Sequence, residues 1–275
     1  MPVRRALALY AGACLTLAVA VFLFAFHTSR GSFWDLEILQ AATAGRDIPR
    51  VQSASEGLVE TISIGSLVLL GGGLVVVAVL LGRTRAALGA VLVIAGANVT
   101  TQILKQLGND RFPSGHATVA MSLALAAVLV APPAWKLLAG LAGGVYAAGV
   151  GVSLVIQAAH FPSDVAAGYL IAGGWAGAVG AVLPEKRGDP AARSTRAGAI
   201  AAAVAVTGFA IAVGVAVVEH PGIVVRVEDR TKLVFALTVL AGLAVLVAVA
   251  FAAIQAMALR RASTTRSWSS GSIPE

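Results

Sequence analysis

The chain has 275 residues, 58% of them hydrophobic and 12% charged, where a soluble domain carries about 45–50% and about 25%. Its mean hydropathy of +0.88 excludes an ordinary water-soluble enzyme, and so apolar a chain cannot stay disordered. One cysteine, Cys14, excludes an internal disulfide framework or a cysteine-based metal cage. The net charge of +7, from 20 basic and 13 acidic residues, reads as membrane topology rather than nucleic-acid binding, because of where the charges fall.

A bilayer core takes about 20 apolar residues per helix. Stretches of that kind run over 6–26, 62–82, 86–104, 116–131, 137–157, 164–183, 197–218 and 233–256. The fold class they predict is all-α: an integral-membrane helical bundle, with a six-span core over 1–183 and two extra C-terminal spans over 197–256. A basic cytoplasmic linker, 184–196, joins them, and 257–275, rich in Ser, Thr and Arg, reads as a disordered cytoplasmic tail. The first stretch follows Arg4 and Arg5. Its length and its aromatic end, Phe22, Phe24 and Phe26, point to a retained anchor rather than a cleaved signal. The segment 27–61 reads as an outer loop, with Phe33, Trp34, Leu36, Ile38 and Leu39 forming a short interfacial helix or a few apolar contacts. The fourth stretch is short and begins in protein rather than lipid. The glycines Gly71–Gly73, Gly143–Gly144 and Gly173–Gly174 lie mid-span and read as close helix packing.

Placing both termini in the cytoplasm gathers Arg4, Arg5, Arg83, Arg85, Lys136 and the basic residues of 184–196 and 257–275 on the inner side. The four histidines, His27, His116, His160 and His220, then all fall on the outer side. Two outer segments carry the chemistry. In K-Q-L-G-N-D-R-F-P-S-G-H, Lys105 to His116, Pro113 and Ser114 are good residues for a helix start. Free N–H groups near Ser114, Gly115 and His116 then make an anion site, to which Lys105 and Arg111 add positive charge. In H-F-P-S-D, His160 to Asp164, Pro162 opens the next helix. The i, i+4 spacing lets the Asp164 carboxylate take one ring nitrogen of His160 and leave the other to attack. Each piece alone is ordinary: an interfacial histidine is usually a polar anchor, a Pro-Ser mostly a cap, and a terminal lysine mostly snorkels.

Together, F-P-S-G-H-A (Phe112 to Ala117) and H-F-P-S-D-V-A-A-G (His160 to Gly168), with Lys105 before them, resemble the type 2 phosphatidic acid phosphatase superfamily. Its membrane members are six-span phosphatases of lipid phosphates and pyrophosphates that use no metal and no cofactor. The resemblance covers roughly 1–183, and N-V-T-T-Q-I-L-K (Asn98 to Lys105) is similar to actinobacterial members. It implies a lipid phosphate substrate in the bilayer, with His160 as nucleophile, Asp164 as its orienting carboxylate and His116 as acid and then base. Lys105, Ser114 and Gly115 are implied as holders of the phosphoryl oxygens. The chain departs from the pattern twice. Where the first motif has Arg-Pro it has Phe112-Pro113, with Arg111 one position early, and the arginine position of the third motif, after Ser153, is Leu154. Arg111 is therefore the candidate replacement. A non-catalytic lipid-phosphate binding or transport protein of the same fold stands as the alternative, and a channel unrelated to phosphate as the bland one.

Overall fold

In the computed structural model the described residues are 3–108, 110–183 and 227–269, and all of their regular structure is helical. The helices are α1 (Val3–His27), α2 (Ser29–Thr43), α3 (Pro49–Glu60), α4 (Ile64–Leu80), α5 (Thr84–Leu107), α6 (Gly115–Val130), α7 (Lys136–Ile156), α8 (Pro162–Val182) and α9 (Val227–Ser269). Among them α1, α5, α7, α8 and the Leu233–Met257 part of α9 are long and apolar enough to cross a membrane. α3 and α4 meet at a 62° bend and together make a sixth candidate. The expected linker 184–196, the expected span 197–218 and His220 lie outside the described residues.

α6 is the axis of the bundle. It has 16 residues, so it rises about 24 Å, short of a hydrocarbon core of about 30 Å. Most of its residues are buried, against α4, α5, α7 and α8. Such a helix ends among other helices rather than in water, and its last carbonyls need partners. Two cations supply them. The Lys136 Nζ donates to the carbonyl of Val128 at 2.9 Å, and the Arg83 guanidinium donates to that of Val130. Both side chains reach inward from the same end of the bundle, satisfying the C-terminus and complementing its dipole.

Small residues set the spacing of the long helices. A Cβ on Gly140 would stand 2.7 Å from the Ala252 Cβ, and one on Gly144 would stand 3.0 Å from the Val245 Cα, so α9 lies directly on α7. Gly173, Gly174 and Gly177 of α8 likewise take Cys14, Leu15, Tyr10 and Ala11 of α1. This is the close approach that apolar helices use when water drives nothing together. The triplet in α4 behaves otherwise. Gly71 faces Ile94, whereas Gly72 and Gly73 meet nothing within 4 Å.

Two regions differ from the sequence expectation. The segment 27–61 is no loop with one short helix, but two helices linked by a 3-10 turn, Ala44–Asp47. In the first of them the small residues Gly31 and Ala42 are buried while Phe33, Trp34 and Leu36 are exposed. α3 is pinned to α7 by Thr61 Oγ1 and Tyr146 Oη at 2.7 Å and by Gln157 donating to Ser55. At the other end of the chain α9 continues through 257–269, expected as tail, because Met-Ala-Leu-Arg-Arg-Ala is a run of strong helix formers.

The α7–α9 seam is testable by thermal unfolding in detergent. Gly144→Val should destabilise by about 1–3 kcal/mol through overpacking. Gly242→Ala, where nothing lies within 4 Å, should be neutral or stabilising by up to about 1 kcal/mol.

Candidate functional site

The two motifs meet at the start of α6 and α8. Ser114 is the N-cap of α6, and its Oγ accepts from the Ala117 N–H at 3.4 Å. Its own N–H points out of α6 and donates to the Asp164 carbonyl at 2.9 Å. That one backbone bond ties the first motif to the second. Gly168 permits it: a Cβ there would lie 2.9 Å from the Ser114 carbonyl oxygen and 3.1 Å from the Thr118 nitrogen. Below the joint, Thr118 Oγ1 donates to the Ser114 carbonyl at 2.8 Å and meets Thr101 Oγ1 of α5 at 3.1 Å. α5 is thereby held to the same turn, and its last turn presents Lys105. The Lys105 Nζ and Gln102 Nε2 stand 3.9 and 4.0 Å from where a Gly115 Cβ would be.

His160 arrives by a tight reversal after α7. Ala158 adopts φ of 50°, the left-handed region that a helix uses to stop, and the Ala159 N–H returns to the Leu154 carbonyl at 3.0 Å. Asp164, third residue of α8, is fully buried. Its Oδ2 accepts from the Phe161 N–H at 3.1 Å and faces the His160 Nδ1 at a long 3.4 Å, which leaves Nε2 as the ring's other nitrogen. Its Oδ1 is buried with no hydrogen-bond partner among the described residues. A buried carboxylate oxygen without a partner is uncommon in a folded protein. The rings of His116 and His160 face each other with centroids 6.4 Å apart and planes inclined by 56°. Residues 105, 114, 115, 116, 160 and 164 are therefore one cluster.

The remaining candidates fall differently. Arg111 is exposed on the loop between α5 and α6. Ser114 is buried, its Oγ accepting from the Ala117 N–H and its N–H donating to the Asp164 carbonyl, so it builds the turn that carries Gly115 and His116. The two missing arginines are replaced by packing. Phe112 joins Phe22 and Phe26 of α1, with centroids 5.2 and 5.3 Å away. Leu154 is wholly buried in the core. Beside Phe112 an apolar groove of about 570 Å³ runs between α1 and α5, walled by Leu15, Phe22, Phe26, Leu104 and Leu107.

One contact escaped the sequence. Asp35 of α2 accepts from the Ser163 N–H at 3.0 Å with Oδ1 and from the Ser163 hydroxyl with Oδ2. Nothing in D-L-E-I-L marks Asp35 as more than a solvated acid, and its partner is 128 residues away. The polar run before Lys105 is also spent on helix contacts: Asn98 donates to Ser122, and Thr100 accepts from the Trp175 Nε1 at 3.0 Å.

Gly168→Ala should force α8 off the N-terminus of α6, because two of the three nearest obstacles, the Ser114 carbonyl oxygen and the Thr118 nitrogen, are backbone atoms. The expected cost is about 1–3 kcal/mol, read as a lowered unfolding temperature in detergent. Gly57→Ala, with open space around it, should show no such loss.

Among curated proteins and among solved structures the chain has no match. Among the described residues no three His, Cys, Asp or Glu side chains come together as a metal site. Residues 90–187, which take in most of α5 and all of α6, α7 and α8, match the family model of the PAP2 superfamily.

Proposed function

We propose that the protein is a membrane phosphatase that hydrolyses a lipid-linked phosphate or pyrophosphate monoester at the extracytoplasmic face through a phosphohistidine on His160. The observation that carries this reading is the facing pair of imidazoles, 6.4 Å apart at the N-terminus of α6, a gap that one phosphoryl group would bridge. The first N–H groups of α6, at Gly115 and His116, have no helical carbonyl to reach, so they and the Lys105 ammonium receive the phosphoryl oxygens. The histidine end of α6 is the outer one, because Arg83 and Lys136 mark its other end. The apolar groove beside Phe112 takes the lipid chain.

The reaction has two steps. The free nitrogen of His160 attacks phosphorus, the bond from phosphorus to the lipid oxygen breaks, and His116 gives that oxygen its proton. Asp164 holds the His160 ring and balances its charge. A water then attacks the phosphohistidine, His116 takes the water's proton, and the phosphorus–nitrogen bond breaks to release inorganic phosphate and neutral His160. Every atom comes from the lipid phosphate and one water, so no cofactor enters. Phe112 and Leu154, which put packing where two arginines are expected, favour a second reading: a lipid-phosphate binding protein without turnover.

The test is phosphate release by the detergent-purified protein over a panel of phosphatidic acid, phosphatidylglycerol phosphate, polyprenyl pyrophosphate and an activated aryl phosphate. Release from at least one lipid, lost in His160→Ala, is expected. Binding without release supports the second reading. His160→Ala should also abolish a trapped phosphoenzyme, whereas His116→Ala should still form it from the aryl phosphate, whose leaving group needs no proton. A label on His116 overturns these roles. Because His116 must carry the proton that the lipid oxygen takes, release from the lipid phosphates should fall as pH rises, and release from the activated aryl phosphate should fall less. Arg111 is exposed on the loop that leads to Ser114, so Arg111→Ala decides its part: release lowered by on the order of tenfold or more keeps it as a phosphate donor, and unchanged release removes it from the site.

A further inference from the structure

α8 starts without a local cap. Its N-cap residue is Phe161, which has no side-chain acceptor for the first-turn N–H groups. Those donors still need partners. Asp164 reaches back to the Phe161 N–H at 3.1 Å. The Ser163 N–H, one residue before Asp164, finds its acceptor in another helix, at Asp35 Oδ1, 3.0 Å away. The second carboxylate oxygen of Asp35 takes the Ser163 hydroxyl, so both donors of one residue close on one carboxylate. Two carboxylates thus grip the turn that carries His160, Asp164 from within α8 and Asp35 from α2. Burial pushes the Asp35 carboxyl above its ordinary range, the two Ser163 bonds oppose that, and the nearby Asp164 adds to it. An acid held in that environment is stabilised there by specific bonds rather than by water.

Asp35 cannot move alone. α2 turns back sharply on α1, with the Thr28 hydroxyl donating to the Phe24 carbonyl at 2.7 Å and the Gly31 N–H donating to Thr28 Oγ1 at 3.0 Å. A Cβ on Gly31 would collide with the Phe24 carbonyl, so only glycine lets α2 lie close enough for Asp35 to reach α8. α2 lies outside the matched segment 90–187.

We propose that Asp35 is a positioning residue: through Ser163 it fixes the first turn of α8 and so sets the ring of His160 against His116. This rests on the phosphatase reading above. Asp35 touches no reacting atom, so its loss should slow formation of the phosphoenzyme without weakening substrate binding.

The experiment uses the full chain in detergent with the activated aryl phosphate and the lipid phosphates of the panel. Asp35→Ala should lower kcat roughly tenfold to a hundredfold, the scale of a lost hydrogen bond to a charged group, with KM unchanged within about twofold. Asp35→Asn, which keeps an acceptor for the Ser163 N–H, should recover most of kcat. Asp35→Ala with Ser163→Ala should be no worse than Asp35→Ala alone, the signature of two residues acting as one unit. If Asp35→Ala does not accumulate, Asp35→Leu, which offers no acceptor to either Ser163 donor, carries the same test. Unchanged kcat in the variant tested, while His160→Ala is inactive, overturns this proposal alone, and so do multiplicative effects in the double variant. Phosphate release that survives His160→Ala overturns the phosphatase reading and this proposal with it.

Discussion

The hydrogen bond from the Ser114 N–H to the Asp164 carbonyl is the contact on which the rest of the site depends. It joins the first residue before α6 to the first turn of α8, so both helices begin at one level and open toward one space. Being backbone to backbone, it fixes the two helix starts without using a side chain that the site needs. Its cost is paid in sequence at Gly168, whose lack of a Cβ lets α8 come this near. From that joint the two histidines follow as a matter of reach. His116 is the second residue of α6, and His160 lies two residues before α8.

The membrane setting explains why the joint is built this way. Among apolar helices there is little hydrophobic force to gather them, so small residues and a few internal polar bonds do the work. Gly140, Gly144, Gly173 and Gly177 bring α9 and α1 onto α7 and α8, leaving α6 enclosed. An enclosed helix shorter than the bilayer needs its ends satisfied inside the protein. At one end Lys136 and Arg83 do so. At the other, Ser114 caps the helix and the next N–H groups are left for an anion. The same backbone need that shapes a buried helix end thus underlies the phosphate site proposed above.

Much of this was legible in the sequence, because the relevant signals are local. Pro113-Ser114 and Pro162 mark helix starts wherever they fall, and the structure starts α6 and α8 there. The i, i+4 spacing of His160 and Asp164 is enough to predict their contact. What was not legible depends on distance or on mixed patterns. α2 and α3 hide in a segment whose apolar residues are too scattered for a span, and Asp35 finds Ser163 only once α2 is folded back. The fate of Phe112 and Leu154 also needed the fold: the sequence shows two absent arginines, whereas the structure shows an aromatic cluster and a core leucine in their places. Gly72 and Gly73 look like packing residues but face no neighbour.

The central claim is that His116 and His160 act on one phosphoryl group between them. Orthovanadate tests it most directly, since it adopts the five-coordinate geometry of phosphoryl transfer and bonds to a nucleophilic nitrogen. An experimental structure of the protein with vanadate should show vanadium bonded to the ring nitrogen of His160 that does not face Asp164. The opposite apical oxygen should lie within hydrogen-bond distance of His116, and the equatorial oxygens should be turned toward Lys105 and the first N–H groups of α6. Vanadate bound elsewhere, or the two rings turned apart with vanadate present, would contradict the account.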